Sequence, residues 1–401
     1  MSLSVSTYEN LAMPLVEIGE NTSNKLLVEL RKAAEELAEN PENERQIRNR
    51  VESLVDTEAE SFVSDADQWP DNELALAYLR GYQNANGDIE SRVAQPKDEG
   101  NPKTTPQVMA AGIAGAGMTG TPRLEQLGPR GREFFAQNPQ HYTFYETFRT
   151  AAKDDIQGMM RPIIRNANDM YRDIAVQSGT QEFRAANVTT RRQMSQDMVK
   201  RFANKGITGV VYADGRMMNI ESYSEMVGRT MSGRTASQAH LNRMNERGYD
   251  LLRMSIHAGA SPLCEPWQGG VYSSSGRSDQ YPPWDDAVAG GAFHANCLHH
   301  VSTYIQGVSP SRAELTSRHP GESALIREHG EAKGNRIIYQ ATQRQREIER
   351  NIRQWKRRQS VSMTSREAER ASNKIKQWQQ AQRQHTDTFG FLRRKYEREQ
   401  I

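Results

Sequence analysis

One stretch, residues 257–304, constrains the fold most because it holds most of the chain's metal-binding side chains. Both cysteines of the chain lie in it, together with four of the nine histidines. Thiolate sulfur and neutral imidazole nitrogen are the usual ligands of zinc in proteins. The spacing His294-x-x-Cys297 gives one close pair of ligands, and the preceding segment offers two more. The sequence therefore predicts a zinc site formed by Cys264, His294, Cys297 and His257, with His299 as the alternative fourth ligand.

Other interpretations of the same residues stay open. The stretch contains no C-x-x-C pair, and the loop from His257 to Cys264 is longer than zinc-finger motifs use. A packed turn with a buried thiol and surface histidines, or a disulfide between the two cysteines, explains the residues without a metal. His294, Asn296 and His299 also resemble an H-N-H nuclease motif superficially. A metal-dependent hydrolase or nuclease, with Glu265 or Asp285 as the base, is therefore the alternative function.

Composition limits the class of protein. A chain of 401 residues can hold two or three domains. Its hydrophobic content of 36% and mean hydropathy of −0.82 indicate much exposed helix around a modest core. Two cysteines give no disulfide framework, which fits a reducing cytoplasm. The N-terminal residues lack a signal-peptide pattern, and no apolar run reaches the length of about 18 residues that spans a membrane.

Charge is distributed unevenly along the chain. Residues 1–100 carry 21 acidic and 9 basic side chains, whereas residues 341–401 carry 7 acidic and 16 basic ones. Opposite ends of this kind favour different partners for the two ends. Two solvated helix faces explain the same charges without any partner.

The first half of the chain is predicted to be helical, with a linker between two helical regions. Apolar residues at helical spacing, such as Leu26, Leu30 and Leu37, predict an acidic helical unit over residues 1–83. A flexible linker is predicted over residues 84–139, where Gly, Pro, Asn and Thr dominate. Its glycine-rich piece GIAGAGMTG lacks the lysine of a phosphate-binding loop. Residues 140–204 are predicted to return to helix.

Residues 205–308 are predicted to form a small α+β core. The run ITGVVYA is typical of a strand, and Asp214-Gly215 after it is a hairpin signal. Further strands are predicted at residues 251–257 and 300–306, on either side of the histidine and cysteine residues. Strand ends hold side chains rigidly, which suits a binding site. The predicted fold class is thus α+β, predominantly helical, with this core flanked by N-terminal helices and a C-terminal helical hairpin or coiled coil.

Residues 309–401 are predicted to be a basic helical tail. Ile348, Ile352 and Trp355 fall at helical spacing, and Thr364 with Glu367 forms a capping box that starts a second helix. Arginine dominates the charged faces, and arginine binds phosphate well. The candidate contacts to double-stranded DNA are Arg357, Arg358, Arg393, Arg394 and Lys395.

The core also carries a family resemblance. The segments WQGGVYSSSGRSDQYPPW and GGAFHANCLHHVSTYIQGVSP resemble the signature of the phage minor capsid protein 2 family, which belongs to the Mu-type head morphogenesis proteins. The resemblance extends upstream through residues 202–230 and downstream into the basic tail. Members often have Cys or His where Cys264 stands, which suits a ligand, whereas many have Arg where Leu298 stands.

The resemblance implies a function. It implies a low-copy structural protein of the virion head that is made in the host cytoplasm and binds the phage portal or capsid proteins during assembly. The basic tail would then contact packaged DNA, and the histidine and cysteine residues would hold a structural zinc ion. Neither enzymatic activity, nor a membrane, nor a small-molecule substrate is expected.

Overall fold

A computed structural model describes residues 5–93, 124–312 and 320–401. It confirms the predicted fold class, because helices predominate and the strands form two small antiparallel sheets. The helices are α1 (Val5–Glu39), α2 (Glu44–Ala66), α3 (Ala75–Val93), α4 (Pro129–Gln137), α5 (Tyr142–Gly158), α6 (Met160–Gly179), α7 (Gln181–Ala185), α8 (Val188–Lys205), α9 (Ile220–Glu246), α10 (Trp284–Ala289), α11 (Pro320–His329), α12 (Glu331–Ser360) and α13 (Ser365–Thr388). The strands are β1 (Thr208–Val211), β2 (Met217–Asn219), β3 (Leu251–Met254), β4 (Val271–Ser273) and β5 (Val301–Thr303).

The chain divides into two compact units. Unit 1 comprises Met1–Pro14, Asp67–Asp155 and Glu225–Tyr339. Unit 2 comprises Leu15–Ala66, Ile156–Ser224 and Gln340–Ile401. Each unit combines three separate stretches, whereas the sequence analysis divides the chain into five consecutive ranges.

The predicted linker over residues 84–139 overlaps two helices. Helix α3 continues to Val93 and buries Ala85 and Ile89, and α4 buries Phe134 and Phe135. Both ends of the range therefore pack as helix, because their few apolar residues fall on one face. Residues 94–123, which include the glycine-rich piece, lie outside the described residues.

The sheet of unit 1 positions the histidine and cysteine residues. Its strand order is β4-β3-β5, and both pairings are antiparallel. All four residues of the central strand β3 are buried. The strands predicted at 251–257 and 300–306 are present but shorter, as β3 and β5. A core cluster covers the sheet and includes Leu241, Met244, Leu252, Met254, Cys264, Tyr272, Trp284, Phe293 and Val301.

A buried carboxylate fixes the start of β3 to the end of β4. Asp250 is fully buried and accepts hydrogen bonds from Ser273 Oγ at 2.6 Å, Ser274 Oγ at 2.9 Å and the Ser275 backbone N–H at 2.8 Å. A buried charge is tolerated when several donors surround it. The three bonds therefore hold the loop after β4 against the sheet.

Unit 2 contains the predicted hairpins. Strands β1 and β2 pair through the turn at Asp214-Gly215, where Gly215 has φ +80°. The Thr364 hydroxyl accepts the Glu367 backbone N–H at 3.3 Å and caps α13, which confirms the predicted start of that helix. His385 Nε2 hydrogen-bonds the Ala341 carbonyl at 2.8 Å. Helices α12 and α13 therefore lie side by side as an antiparallel hairpin.

No membrane-crossing helix occurs in the described ranges. Every helix there is either too short or too polar to cross a membrane.

Candidate metal centre

Two thiols and one imidazole converge in unit 1. Ligand atoms of Cys264, Cys297 and His299 all lie within 4.8 Å of one another. The two Sγ atoms are 3.4 Å apart, and His299 Nδ1 lies 3.3 Å from Cys297 Sγ. Both cysteines are unbonded thiols. Two sulfurs that share a tetrahedral zinc ion at about 2.3 Å are separated by about 3.8 Å, so small shifts suffice to admit the ion.

Tight turns bring the two cysteines together. Cys264 follows β3 in a turn where its N–H bonds the Ser261 carbonyl at 3.0 Å. Cys297 lies in a second turn, where its N–H bonds the His294 carbonyl at 3.0 Å. Asn296 within that turn has φ +65°, a left-handed conformation that Asn adopts more readily than most residues. Its N–H donates to Thr230 Oγ1 at 3.0 Å, which anchors the turn to α9.

Gln268 orients the His299 ring. Its Oε1 lies 3.3 Å from His299 Nε2 and also accepts the His257 backbone N–H at 3.2 Å. An amide oxygen only accepts, so Nε2 carries the proton and the Nδ1 lone pair faces Cys297. Zinc-bound histidines usually donate their second N–H to such an acceptor. Gln268 is buried, and sequence reasoning missed its role, although it lies in the WQGG segment of the family signature.

His257 lies next to His299, although it is not one of the three residues whose ligand atoms converge. Its ring lies 4.1 Å from the His299 ring, and its Nδ1 lies 3.1 Å from the Ala258 carbonyl. The Nδ1 atom therefore carries the proton. The Nε2 atom is buried and has no hydrogen-bond partner among the described residues. Burial, with a smaller contribution from His299, lowers the pKa of His257 to about 4, so the ring is neutral, as a metal ligand must be.

His294 lies beside the group but not within it. Its Nε2 is 2.6 Å from Ser261 Oγ, and its Nδ1 is 2.6 Å from the Ala295 carbonyl. A hydrogen bond to Cys264 raises the pKa of His294. Both ring nitrogens of His294 therefore have partners, and His294 is not one of the three residues whose ligand atoms converge. Among the described residues, His299 rather than His294 lies within 4.8 Å of both thiols, and the identity of the histidine ligands stays a prediction.

The two thiols lie close enough to form a hydrogen bond with each other. The hydrogen bond from Cys297 lowers the pKa of Cys264, and the same bond raises the pKa of Cys297. One thiolate next to one thiol is the state expected of two such groups in contact. A metal ion that replaces this hydrogen bond would satisfy both sulfurs.

The neighbouring aromatic side chains pack into the core. Trp284 is 1% exposed and lies edge-on to Tyr272 at 5.3 Å between ring centroids. Trp267 packs against the same cluster and donates its indole N–H to the Gly290 carbonyl at 3.2 Å. Tyr281 lies against Tyr304, outside that cluster. Tyr272 and Trp284 therefore belong to the core cluster, and Trp267 packs against it.

The two candidate bases of the alternative function differ in setting. Glu265 accepts a hydrogen bond from Asn335 at 3.5 Å. Asp285 is exposed in the first turn of α10. Neither carboxylate belongs to the group of converging ligand atoms.

The predicted DNA contacts of the tail are mostly engaged within the protein. Arg357 is 5% exposed, donates to the Ala203 carbonyl at 3.1 Å and pairs with Glu221 at 3.5 Å. The structure thus contradicts the predicted phosphate contact of Arg357, because its guanidinium is buried. Arg358 hydrogen-bonds Asn204 and lies over the Trp355 ring at 4.0 Å.

The last three candidates lie close to the C-terminus. Arg394 makes two bonds to Glu399, at 2.6 and 2.5 Å. Arg393 is exposed, and Lys395 is partly exposed. Additional basic side chains, which the sequence analysis did not single out, are exposed along α13 at Arg366, Arg370, Lys376 and Arg383.

Comparisons with known proteins agree on one class, the structural proteins of phages. A "Structural protein" of Lactococcus phage LL-H is 27% identical over 203 residues, which cover 48% of this chain and 51% of that protein. A "Structural protein" of Lactococcus phage mv4 is 32% identical over 115 residues, which cover 28% of this chain and 81% of that protein. The match thus spans about half of the LL-H protein. No solved structure matches the chain.

The family model for phage minor capsid protein 2 matches residues 75–387. This range includes the whole candidate metal centre and most of the basic tail. The chain belongs to the phage minor capsid protein 2 family, as its core segments indicate.

Proposed function

We propose that this protein is a low-copy component of a tailed-phage head that acts during head assembly. It would be made in the host cytoplasm, bind the portal or the inner capsid surface, and remain in the virion. The family match over residues 75–387 carries the proposal, because it covers the metal centre and most of the helical tail together. The two phage relatives, both named structural proteins, support the same assignment.

The metal centre serves this function as a structural staple. Cys264, Cys297, His299 and His257 are the four ligands, and Zn²⁺ suits two thiolates and two imidazoles. The buried Nε2 of His257, which has no partner among the described residues, favours it as the fourth ligand. A structural zinc site contributes on the order of 10 kcal/mol to the folding of a small unit. The bound zinc ion would thereby fix the long loops that connect β3, β4 and β5.

The ligand set also argues against catalysis at this centre. Catalytic zinc keeps one position open for water or substrate, whereas structural zinc has four protein ligands. Cys264 and His299 are buried, and Trp284 and Tyr272 cover the adjoining core. A closed four-ligand site leaves no place for a metal-bound water.

Packaged DNA is the further partner in this proposal. The exposed residues Arg366, Arg370, Lys376 and Arg383 follow α13 on the side opposite the buried Ala371 and Ile375. Contacts from such a face go to phosphates and carry no base sequence information. Arg393 extends the basic surface beyond the end of α13.

Purified phage heads test the assembly role. Quantitative mass spectrometry should find the protein in heads at fewer copies than the major capsid protein. A phage that lacks the gene should give defective heads, rescued by the wild-type chain and by the exposed-loop control Leu263→Ala. Absence of the protein from both empty and filled heads would overturn the proposal.

A further inference from the structure

A polar cavity lies within unit 2, apart from the metal centre. Its volume is about 270 Å³. One wall is the stretch of α12 that carries Arg350, Arg353 and Arg357. The opposite wall is the first turn of α9, with Glu221 and Ser222, together with Asn204 near the end of α8. Small-molecule sites begin at about 300 Å³, so the cavity suits a small polar ligand.

The cavity carries a surplus of positive charge. Arg357 is neutralised by Glu221, to which it pairs at 3.5 Å. Arg350 is exposed and has no hydrogen-bond or ion-pair partner among the described residues. Arg353 donates through one nitrogen to the Arg398 carbonyl at 2.5 Å, which leaves its other donors available. The N-terminus of the long helix α9 adds partial positive charge at the same place. Together these groups attract an anion.

One carboxylate oxygen in the same wall is buried and has no hydrogen-bond donor among the described residues. Glu221 is 5% exposed, and its Oε2 atom is buried without a hydrogen-bond partner in the described part of the chain. An ionised carboxylate accepts hydrogen bonds and donates none. An unsatisfied buried acceptor is costly, so a donor on the ligand would be strongly favoured. A ligand that matches both features carries an anionic group and a hydrogen-bond donor such as a hydroxyl group.

A neighbouring glutamate does not cancel the positive charge. Glu20 lies close to Arg353, Arg357 and Glu221, and burial raises its pKa to about 8. Its carboxyl group is therefore mainly protonated at neutral pH. The charges of Arg350 and Arg353 remain available to a ligand.

We propose that this cavity binds a phosphate ester that carries a hydroxyl group, the sugar-phosphate unit of a nucleotide. Arg350 and Arg353 hold the phosphate, because guanidinium groups match its oxygens in geometry and charge. Glu221 Oε2 accepts a hydrogen bond from the hydroxyl group of the ligand. The unit can belong to a free nucleotide or to the 3′ end of a DNA strand, which also has a hydroxyl near a phosphate. The site goes beyond the proposed role in head assembly and does not depend on the metal.

Calorimetric titration of the full chain with ribose 5-phosphate tests the proposal. Ribose 5-phosphate should bind more tightly than inorganic phosphate, because only the ester supplies a hydroxyl to Glu221. Arg350→Gln should weaken binding about tenfold, the effect of losing one charge-assisted hydrogen bond of about 1.4 kcal/mol. Arg344→Gln, at an exposed arginine of the same helix outside the cavity, should leave binding unchanged.

A second variant tests the hydroxyl contact. Glu221→Gln should reduce the preference for ribose 5-phosphate over phosphate, and a thermal melt of the variant reports whether unit 2 is still folded. If Glu221→Gln does not fold, the comparison of Arg350→Gln with Arg344→Gln tests by itself whether the cavity binds the phosphate ester. Absence of binding by either ligand at millimolar concentration would overturn the proposal, and so would equal binding by Arg350→Gln and wild type.

Competition separates the two sources of the ligand. Linear duplex DNA with free 3′-hydroxyl ends should displace ribose 5-phosphate if strand ends are the natural ligand. Closed circular DNA has no ends and controls for binding elsewhere on the basic surface. If neither linear nor circular DNA displaces ribose 5-phosphate, the ligand is a free nucleotide or sugar phosphate. The proposed contacts to its phosphate and hydroxyl groups are then unchanged.

Discussion

Cys264 Sγ and Cys297 Sγ lie 3.4 Å apart, although 33 positions separate the two residues in the sequence. The pair closes a loop that contains β4 and α10, and it lies against the core cluster of unit 1. A bond through a shared metal ion would tie that loop to the end of β3. The first two predictions concern these thiols and the histidines around them.

Metal content is the first prediction. The purified chain should contain about one zinc ion, and Cys264→Ser or Cys297→Ser should remove it. The free energy of unfolding should fall by several kcal/mol in each variant, because structural zinc contributes on the order of 10 kcal/mol. Chelation should lower the Tm of the wild type and of Leu263→Ala, whose side chain is 56% exposed in the same loop, but not that of the cysteine variants. If the purified wild type contains no metal and chelation leaves its Tm unchanged, the hypothesis of a structural zinc ion is wrong.

The identity of the histidine ligands is the second prediction. His299→Ala and His257→Ala should each weaken zinc binding strongly, whereas His294→Ala should change it less than tenfold. The reason is that His294 already bonds Ser261 and Ala295, whereas His257 Nε2 is unpartnered within the described residues. Absorption of the cobalt-substituted protein reports the ligand set directly. Loss of the cobalt spectrum in His294→Ala, with an intact spectrum in His257→Ala, would reverse the assignment.

The third prediction concerns Gln268, whose side-chain oxygen contacts the Nε2 atom of His299. Gln268→Leu should weaken zinc binding about 10–100-fold, the usual effect of removing such a partner. Gln268→Glu keeps an acceptor for His299 Nε2–H and should restore most of the affinity. Gln280→Ala, at an exposed position on the loop between β4 and α10, is the matched control. Equal affinities of the leucine and glutamate variants would show that Gln268 acts only by packing.

The fourth prediction is a pH dependence of stability from Glu20. Burial raises its pKa from 4.5 to about 8 in the folded state, against the opposing effect of Arg353. Between these two values the folded chain holds a proton that the unfolded chain has released, so stability falls as pH rises. The slope for one group is at most about 1.4 kcal/mol per pH unit.

Denaturation at several pH values between 5 and 8 measures this effect. Glu20→Gln stays neutral, so its stability advantage over wild type should grow as pH rises. The stability of Glu60→Gln, at an exposed position on α2 of the same unit, should run parallel to that of wild type. A constant difference between Glu20→Gln and wild type across this range would contradict the prediction.

The fifth prediction concerns DNA. Binding should weaken steeply with salt and should not depend on sequence, because each phosphate bound by the protein releases a counterion. Changing Arg366, Lys376 and Arg383 to Gln should reduce the slope of log K against log salt by about 0.9 for each phosphate that is no longer neutralised. Arg357→Gln should destabilise unit 2 and leave the slope unchanged, since Arg357 is buried against Glu221. Salt-independent binding would remove DNA from the partners.

The sequence by itself determined the local structure and the family. The α13 cap at Thr364, the turn at Asp214-Gly215 and the two core strands each depend on a few neighbouring residues. Hydrogen bonds within a turn or a cap form between residues close in sequence, so a local pattern specifies them. The segments between Trp267 and Pro310 identified the family because a family motif also consists of residues that are close together in the sequence.

Only the tertiary structure decided which of the patterned residues meet. The spacing His294-x-x-Cys297 favoured His294 over His299, yet among the described residues it is His299 that lies with both thiols, and Gln268 orients its ring. Arg357 looks like a free cation in a basic run, but Ala203 and Glu221 bury it. Such partners lie 31 or more positions away in the chain. Packing of distant segments selects them, and periodicity along one segment contains no information about that packing.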